Sequence, residues 1–230
     1  MDEAGSAMTA VAALDDDLRR GMYDYIRRAR RPVGRDEAAS AVGISRKLAA
    51  FHLDKLVAAG LLCARYEPLG GIRKVGRPSK VYEPTPADIR ISIPPRRHDL
   101  LADILVDAVL TEGDQENATQ AAVRVARERG HHLGTAERER TRPGRLGAER
   151  ALTRAEEVLA GYGFEPDREA PGCVRLRNCP FHPLTSRSPE LVCGLNHAFL
   201  QGFLAGLQAR STEAVLEPRP GECCVALRST

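Results

Sequence analysis

Six cysteines are the residues best suited to chemistry in this 230-residue chain, and five of them lie between Cys173 and Cys224. Thiolates are soft ligands for zinc and iron–sulfur centres and nucleophiles in redox exchange, so such clustering points to metal or redox chemistry. Cys179-Pro180-Phe181-His182 follows the run CVRLRNC, which alternates like a strand; Cys193 opens a helix, and Cys223-Cys224 fall in a last strand. Three element ends can bring three thiolates together, as an iron–sulfur cluster (4Fe–4S or 2Fe–2S) or a zinc ion requires. Successive strand residues face opposite ways, so one of Cys223 and Cys224 is expected to turn inward. Cys223 is the candidate, because it shares a face with Val225 and Leu227. With His182 as an imidazole donor, the expected ligands are Cys179, Cys193, Cys223 and His182. Cys173 alternates with Arg175 and Arg177 and ranks below them, while Cys63 reads as a small buried hydrophobe.

A second constellation is basic. Residues 45–80 hold eight Lys and Arg against two acidic residues. Ser45 is a good N-cap, Leu48, Phe51, Leu53, Leu56 and Val57 recur at helical spacing, and Gly60 closes the helix. That phase turns Arg46, Lys47, His52 and Lys55 outward, where they can reach phosphates and base edges. Ala49 and Ala50 are expected to meet thymine methyls, in the exposed first turns that Ser45 opens. An extended run from Leu61 turns near residues 68–71 and returns through Val81-Tyr82-Glu83. Its tip carries Arg73, Lys74, Arg77 and Lys80 around Gly76 and Pro78, a narrow basic segment able to place an arginine in a minor groove. Gly71 and Gly76 have the separation of a phosphate-binding loop, but Arg77-Pro78 follows where Lys-Ser/Thr is needed.

The elements that must position these residues give an α+β chain, mainly α. Residues 1–13 are expected to be a flexible end. Residues 14–95 read as helix, helix, turn, recognition helix and hairpin, a winged helix-turn-helix. Residues 96–146 read as a helical linker and dimerisation region. Leu100, Leu101, Ile104, Leu105, Ala108 and Val109 form one stripe there, suited to a homodimer that reads paired half-sites. Residues 117–129 continue as helix and residues 130–145 as an exposed connection. Residues 147–230 form a small α+β unit holding the cysteines.

Residues 1–98 carry 18 Lys and Arg against 12 Asp and Glu, whereas residues 99–230 carry 16 against 19. A polyanion such as double-stranded DNA is therefore the expected partner of the first part alone. No leader opens the chain and no apolar run approaches the ~18 residues of a membrane span. A cytoplasmic protein with reduced thiols and no membrane partner is expected. With no nucleotide loop, catalytic signature or paired acids, neither an enzyme nor a small-molecule substrate is expected.

GISRKLAAFHLDKLVAAGLL resembles the ArsR-like and DeoR-like winged helices of bacteria. With GRPSKVYEPT and NCPFHPL…PELVCGLNHAFLQGFLAGL…PRPGECCV, the chain from about Leu14 to Leu227 resembles SufR-type regulators. In that family a winged-helix homodimer holds an iron–sulfur cluster through C-terminal cysteines, and cluster status sets operator affinity. The resemblance implies a repressor-type regulator with Cys179, Cys193 and Cys223 as ligands. A zinc- or thiol-redox-responsive regulator on the same scaffold is the alternative.

Overall fold

Two side-chain caps start the main helices of the first part of the chain. Asp16 Oδ1 accepts from the Arg19 amide at 2.9 Å, and Ser45 Oγ accepts from the Leu48 amide at 3.3 Å, each relieving an unpaired donor of a first turn. The computed structural model describes residues 3–67, 78–86 and 88–230. Its fold class is α+β, with helix predominating over two small antiparallel sheets. The chain divides into two units, Met1–Ile91 and Ser92–Thr230.

The first unit runs α1 (Glu3–Ala13), α2 (Asp17–Ala29), β1 (Val33–Gly34), α3 (Arg35–Ala41), α4 (Arg46–Ala58), β2 (Leu62–Glu67) and β3 (Ser79–Pro84). Residues 3–13 are thus helical where a structureless end was expected, and Ala10 is buried in the unit's core. Gly60, at φ +74°, turns the chain out of α4, and the Leu61 amide donates back to the Leu56 carbonyl at 3.0 Å. The sheet order is β1-β3-β2, with β2 and β3 paired from Leu62↔Pro84 to Glu67↔Ser79. Met22, Ile26, Ala38, Leu53, Leu56, Leu62 and Tyr82 fill the space between helices and sheet.

The second unit comprises α5 (His98–Leu110), α6 (Ala118–Thr141), α7 (Ala148–Gly161), β4 (Pro166–Ala170), β5 (Cys173–Leu176), α8 (Leu184–Arg187), α9 (Pro189–Gly206), β6 (Thr212–Leu216) and β7 (Val225–Ser229). The sheet order is β4-β5-β7-β6. The expected linker helices α5 and α6 belong to the same unit as the cysteines. Leu100, Leu101, Ile104 and Ala108 of α5 are buried in its core, while Leu105, Val106, Val109 and Leu110 remain exposed.

The expected connection over residues 130–145 is instead the second half of α6, which runs to Thr141. Gly130 and Gly134 let it meet Gly202 and Gly206 of α9 backbone to backbone. A Cβ on Gly130 would stand 1.9 Å from the Phe199 carbonyl oxygen, and one on Gly202 would stand 2.0 Å from that of Arg127. Glycine in a helix interior costs about 1 kcal/mol relative to alanine. Here that cost is offset by packing no side chain would permit, which holds α9, the helix bearing Cys193, against the longest helix of the unit.

Candidate functional site

Three segments converge at the thiols. The first is the turn after β5, where Asn178 and Cys179 are both buried. The second is α9, begun by Pro189 at its first position, which presents Cys193 and, one turn on, Asn196. The third is the loop between β6 and β7. Glu222 in that loop is held by Arg175, a fully buried side chain whose Nε donates at 3.1 Å, and by Arg177. Arg175 also donates to the Glu217 carboxylate at 3.3 Å and to its carbonyl at 3.1 Å. The Cys223 amide donates to the Leu176 carbonyl at 2.9 Å and the Glu217 amide to the Cys224 carbonyl at 2.8 Å.

Cys223 and Cys224 lie before β7, not within it. Strand alternation therefore does not apply to them, and the bent backbone brings both sulfurs into the same cluster. Cys179, Cys223 and Cys224 belong to one core cluster with Cys193 packed against it, and the four thiols shift one another's acidity. The hydrogen bond from Cys223 holds Cys179 below its ordinary value, helped by the Phe181 and His182 amides. Cys224 is drawn down to about 6, chiefly by its bond from Cys223. Cys223 keeps its proton far above the ordinary range because Cys179 and Cys224 both lean on it. Cys193, half-buried, is pushed up to about 12 by burial first and by Cys224 second. Acidity is thus raised at Cys179 and Cys224 and lowered at Cys223 and Cys193.

Asn196 stands inside this cluster, fully buried, with Nδ2 donating to Cys223 Sγ at 3.1 Å. Among the described residues, its Oδ1 has no hydrogen-bond partner. The imidazole of His182 is exposed, and what His182 gives the site is its backbone amide. Cys224, not that imidazole, packs with the other thiols. Cys173 is buried apart from the cluster, with Sγ 3.9 Å from Glu169 Oε2, and Cys63 is exposed on β2.

Four soft sulfur donors, two of them with lowered pKa, suit a thiolate-ligated centre in number and kind. The orphaned Asn196 Oδ1 is a further polar atom without a partner at the same place. Among the described residues, no group of three or more His, Cys, Asp or Glu is arranged to hold a metal ion. A single tetrahedral ion there requires the sulfurs to regroup around one point.

On the basic side, Ser45 is the N-cap of α4, and Arg46, Lys47 and Lys55 are exposed. Arg46 pairs with Asp36 at 3.0 Å, and Lys80 with Asp54 at 2.6 Å. Ala50 is partly buried. Ala49 and His52, expected to face bases, are buried with Leu53 and Leu56. The helix is rotated from the expected phase: its inner stripe runs 49, 52, 53, 56, leaving Leu48 and Phe51 41% and 54% exposed. A small and a polar residue were assigned outward by type, yet His52 packs inside, its Nδ1 3.9 Å from Asp16 Oδ1. Phe51, with Lys55 Nζ 5.6 Å from its ring, takes the outward position. Arg73, Lys74 and Arg77 lie outside the described residues.

Asn196 was the residue missed, and Cys224, weighed against Cys223 as a single ligand, joins the cluster beside it. The signal for Asn196 was present in the motif CGLN, since three residues along a helix returns to one face. No protein-family model, no curated protein and no solved structure matches the chain.

Proposed function

We propose that this chain is a DNA-binding transcriptional regulator, acting as a repressor, whose operator affinity is set by an iron–sulfur cluster held by Cys179, Cys193, Cys223 and Cys224. The observation that carries this function is the packing of four cysteines from three separate segments into one core cluster. Bound there, a cluster supplies a redox-active, oxygen-sensitive group. Asn196 supplies a hydrogen bond to the Cys223 sulfur, and Arg175 and Glu222 hold the loop that carries two of the donors.

α2, α3, α4 and the β2–β3 hairpin have the order of a winged helix-turn-helix. Lys47 and Lys55 are exposed to solvent where phosphate can reach them, and Arg46 and Lys80 can exchange their carboxylate partners for it, because exposed ion pairs are worth little. The exposed Leu105, Val106, Val109 and Leu110 on α5 support a homodimer. The test is selection of duplexes from a random-sequence pool by the anaerobically iron- and sulfide-loaded protein and by the stripped protein. Enrichment by one form over the other supports the function; no enrichment by either removes it.

A second function is favoured by the contact between the Cys224 thiolate and the Cys193 thiol. Hydrogen peroxide, with one proton from solvent, can take two electrons from this thiolate–thiol pair, leaving a Cys193–Cys224 disulfide and two waters, so that the same scaffold senses oxidant without metal. Retention of oxidant-dependent DNA binding in fully metal-free protein distinguishes it.

A further inference from the structure

The residues around Cys179 are laced to a second segment of the chain more than 80 positions earlier. Asn178 Nδ2 donates to the Pro95 carbonyl at 3.0 Å and to the Gly163 carbonyl at 2.5 Å. Arg96 Nη1 donates to Asn178 Oδ1, and to the Cys179 carbonyl at 3.0 Å. The Arg97 amide donates to the Pro180 carbonyl at 2.9 Å, and His98 Nε2 lies 2.9 Å from the His182 carbonyl. Arg97 then lies over the Tyr162 ring, 5.1 Å from its centroid. Asn178 is buried, and both ends of its amide are used.

The position of this strap in the chain gives it meaning. The first unit ends at Ile91 and the second begins at Ser92. Residues 95–98 are therefore almost the first of the second unit, and they lead straight into α5, which starts at His98. Of the three cysteine-bearing segments, the Asn178–His182 turn alone is seen bonded to this strap among the described residues.

We propose that Asn178 and Arg96 are positioning residues that carry the state of Cys179 to the Pro95–His98 strap, and so to the chain entering from the first unit and to the start of α5. The proposal rests on the regulator function above and names how its two units communicate. A ligand can shift a two-state element only through contacts that differ between the states. When Cys179 engages a metal centre, its peptide and the preceding Asn178 re-seat together, and each strap bond is made or strained accordingly. Packed, hydrogen-bonded segments pass such shifts on as units. Mere adjacency is not coupling, so coupling itself must be measured.

The experiment uses the full chain and a duplex selected by the wild-type protein, with affinity measured for the iron- and sulfide-loaded and the stripped forms. Wild type is expected to show an affinity ratio in the range of about 5–150-fold, the usual span of allosteric coupling. Arg96→Met, which keeps the aliphatic stem but loses the donor to Asn178 and Cys179, is expected to lower that ratio to below about twofold. Its iron content and its stripped-form affinity stay at the wild-type level, which a merely structural defect would not leave alone. Arg96→Lys restores part of the ratio. In parallel, hydrogen exchange at the Arg97 amide of wild type is expected to change on loading.

A wild-type ratio in Arg96→Met, or an Arg97 amide indifferent to loading, overturns the strap while leaving the regulator intact. Loss of iron from Arg96→Met likewise overturns it, by making Arg96 a support for the centre alone. A wild-type ratio of one removes the regulator and the strap together.

Discussion

Asn196 Nδ2 donates to Cys223 Sγ at 3.1 Å, while Oδ1 of the same buried amide has no partner among the described residues. The two halves of this side chain oppose each other energetically. A hydrogen bond to sulfur stabilises, whereas an unsatisfied buried acceptor costs about 1–3 kcal/mol. Asn196→Leu, similar in volume, removes both and should change the stability of the metal-free protein by no more than about 1 kcal/mol in denaturant unfolding. A much larger loss would mean that the amide is structural and its oxygen is satisfied in solution.

The contact between α6 and α9 gives a sharper contrast. Gly130→Ala places a Cβ against the Phe199 carbonyl, and neither backbone can yield without moving a helix. Overpacking of this kind costs about 1–3 kcal/mol or more. Gly194→Ala, in open space on the same α9, should instead stabilise by roughly 0.5–1 kcal/mol through helix propensity. Thermal unfolding of the two variants separates them by sign.

The thiol cluster gives the metal-free protein a stability profile in pH. Cys224 lies at about 6 in the folded state against an ordinary 9.0, chiefly because of its bond from Cys223. A lowered value favours the folded thiolate, so its contribution is complete above pH 9.0 and is lost as pH falls toward about 6. Cys193, raised from 9.0 to about 12 chiefly by burial, contributes fully below 9.0 and loses that contribution as pH rises toward about 12. The melting temperature should therefore rise from pH ~6 to ~9 and decline beyond. Cys224→Ser should flatten the lower limb.

On α4, exposure divides the expected contacts into two groups. Lys47→Ala should weaken DNA binding across sequences and reduce the slope of log affinity against log salt by about 1. His52→Ala should leave that slope unchanged and lower stability, because His52 is 6% exposed and packs with Leu53 and Leu56. Filter binding at several salt concentrations, with melting temperatures, tests both.

The pattern of success and failure in the sequence has physical causes. Ser45 and Gly60 bound α4 as their types suggest, because caps act within one turn. The rotation of α4 was not legible: His52 and Phe51 exchange their expected roles through contacts with other elements, Asp16 among them. Residues 130–141 looked like a loop for their Gly and charges, and only the matching glycines of α9, more than 60 residues away, explain the helix. Cys223 and Cys224 were assigned to opposite strand faces by a period that starts only at Val225. The thiol clustering itself was visible, since five of the six cysteines lie in the last quarter of the sequence.

The most direct measurement is metal and sulfide content after anaerobic purification, for wild type and for Cys179→Ser, Cys193→Ser, Cys223→Ser and Cys224→Ser. The account predicts a coloured wild-type protein with iron and acid-labile sulfide, and loss of both in all four variants, Cys224→Ser included. A wild type that takes up neither iron and sulfide nor zinc under reducing, anaerobic conditions, yet binds its selected duplex fully, contradicts it.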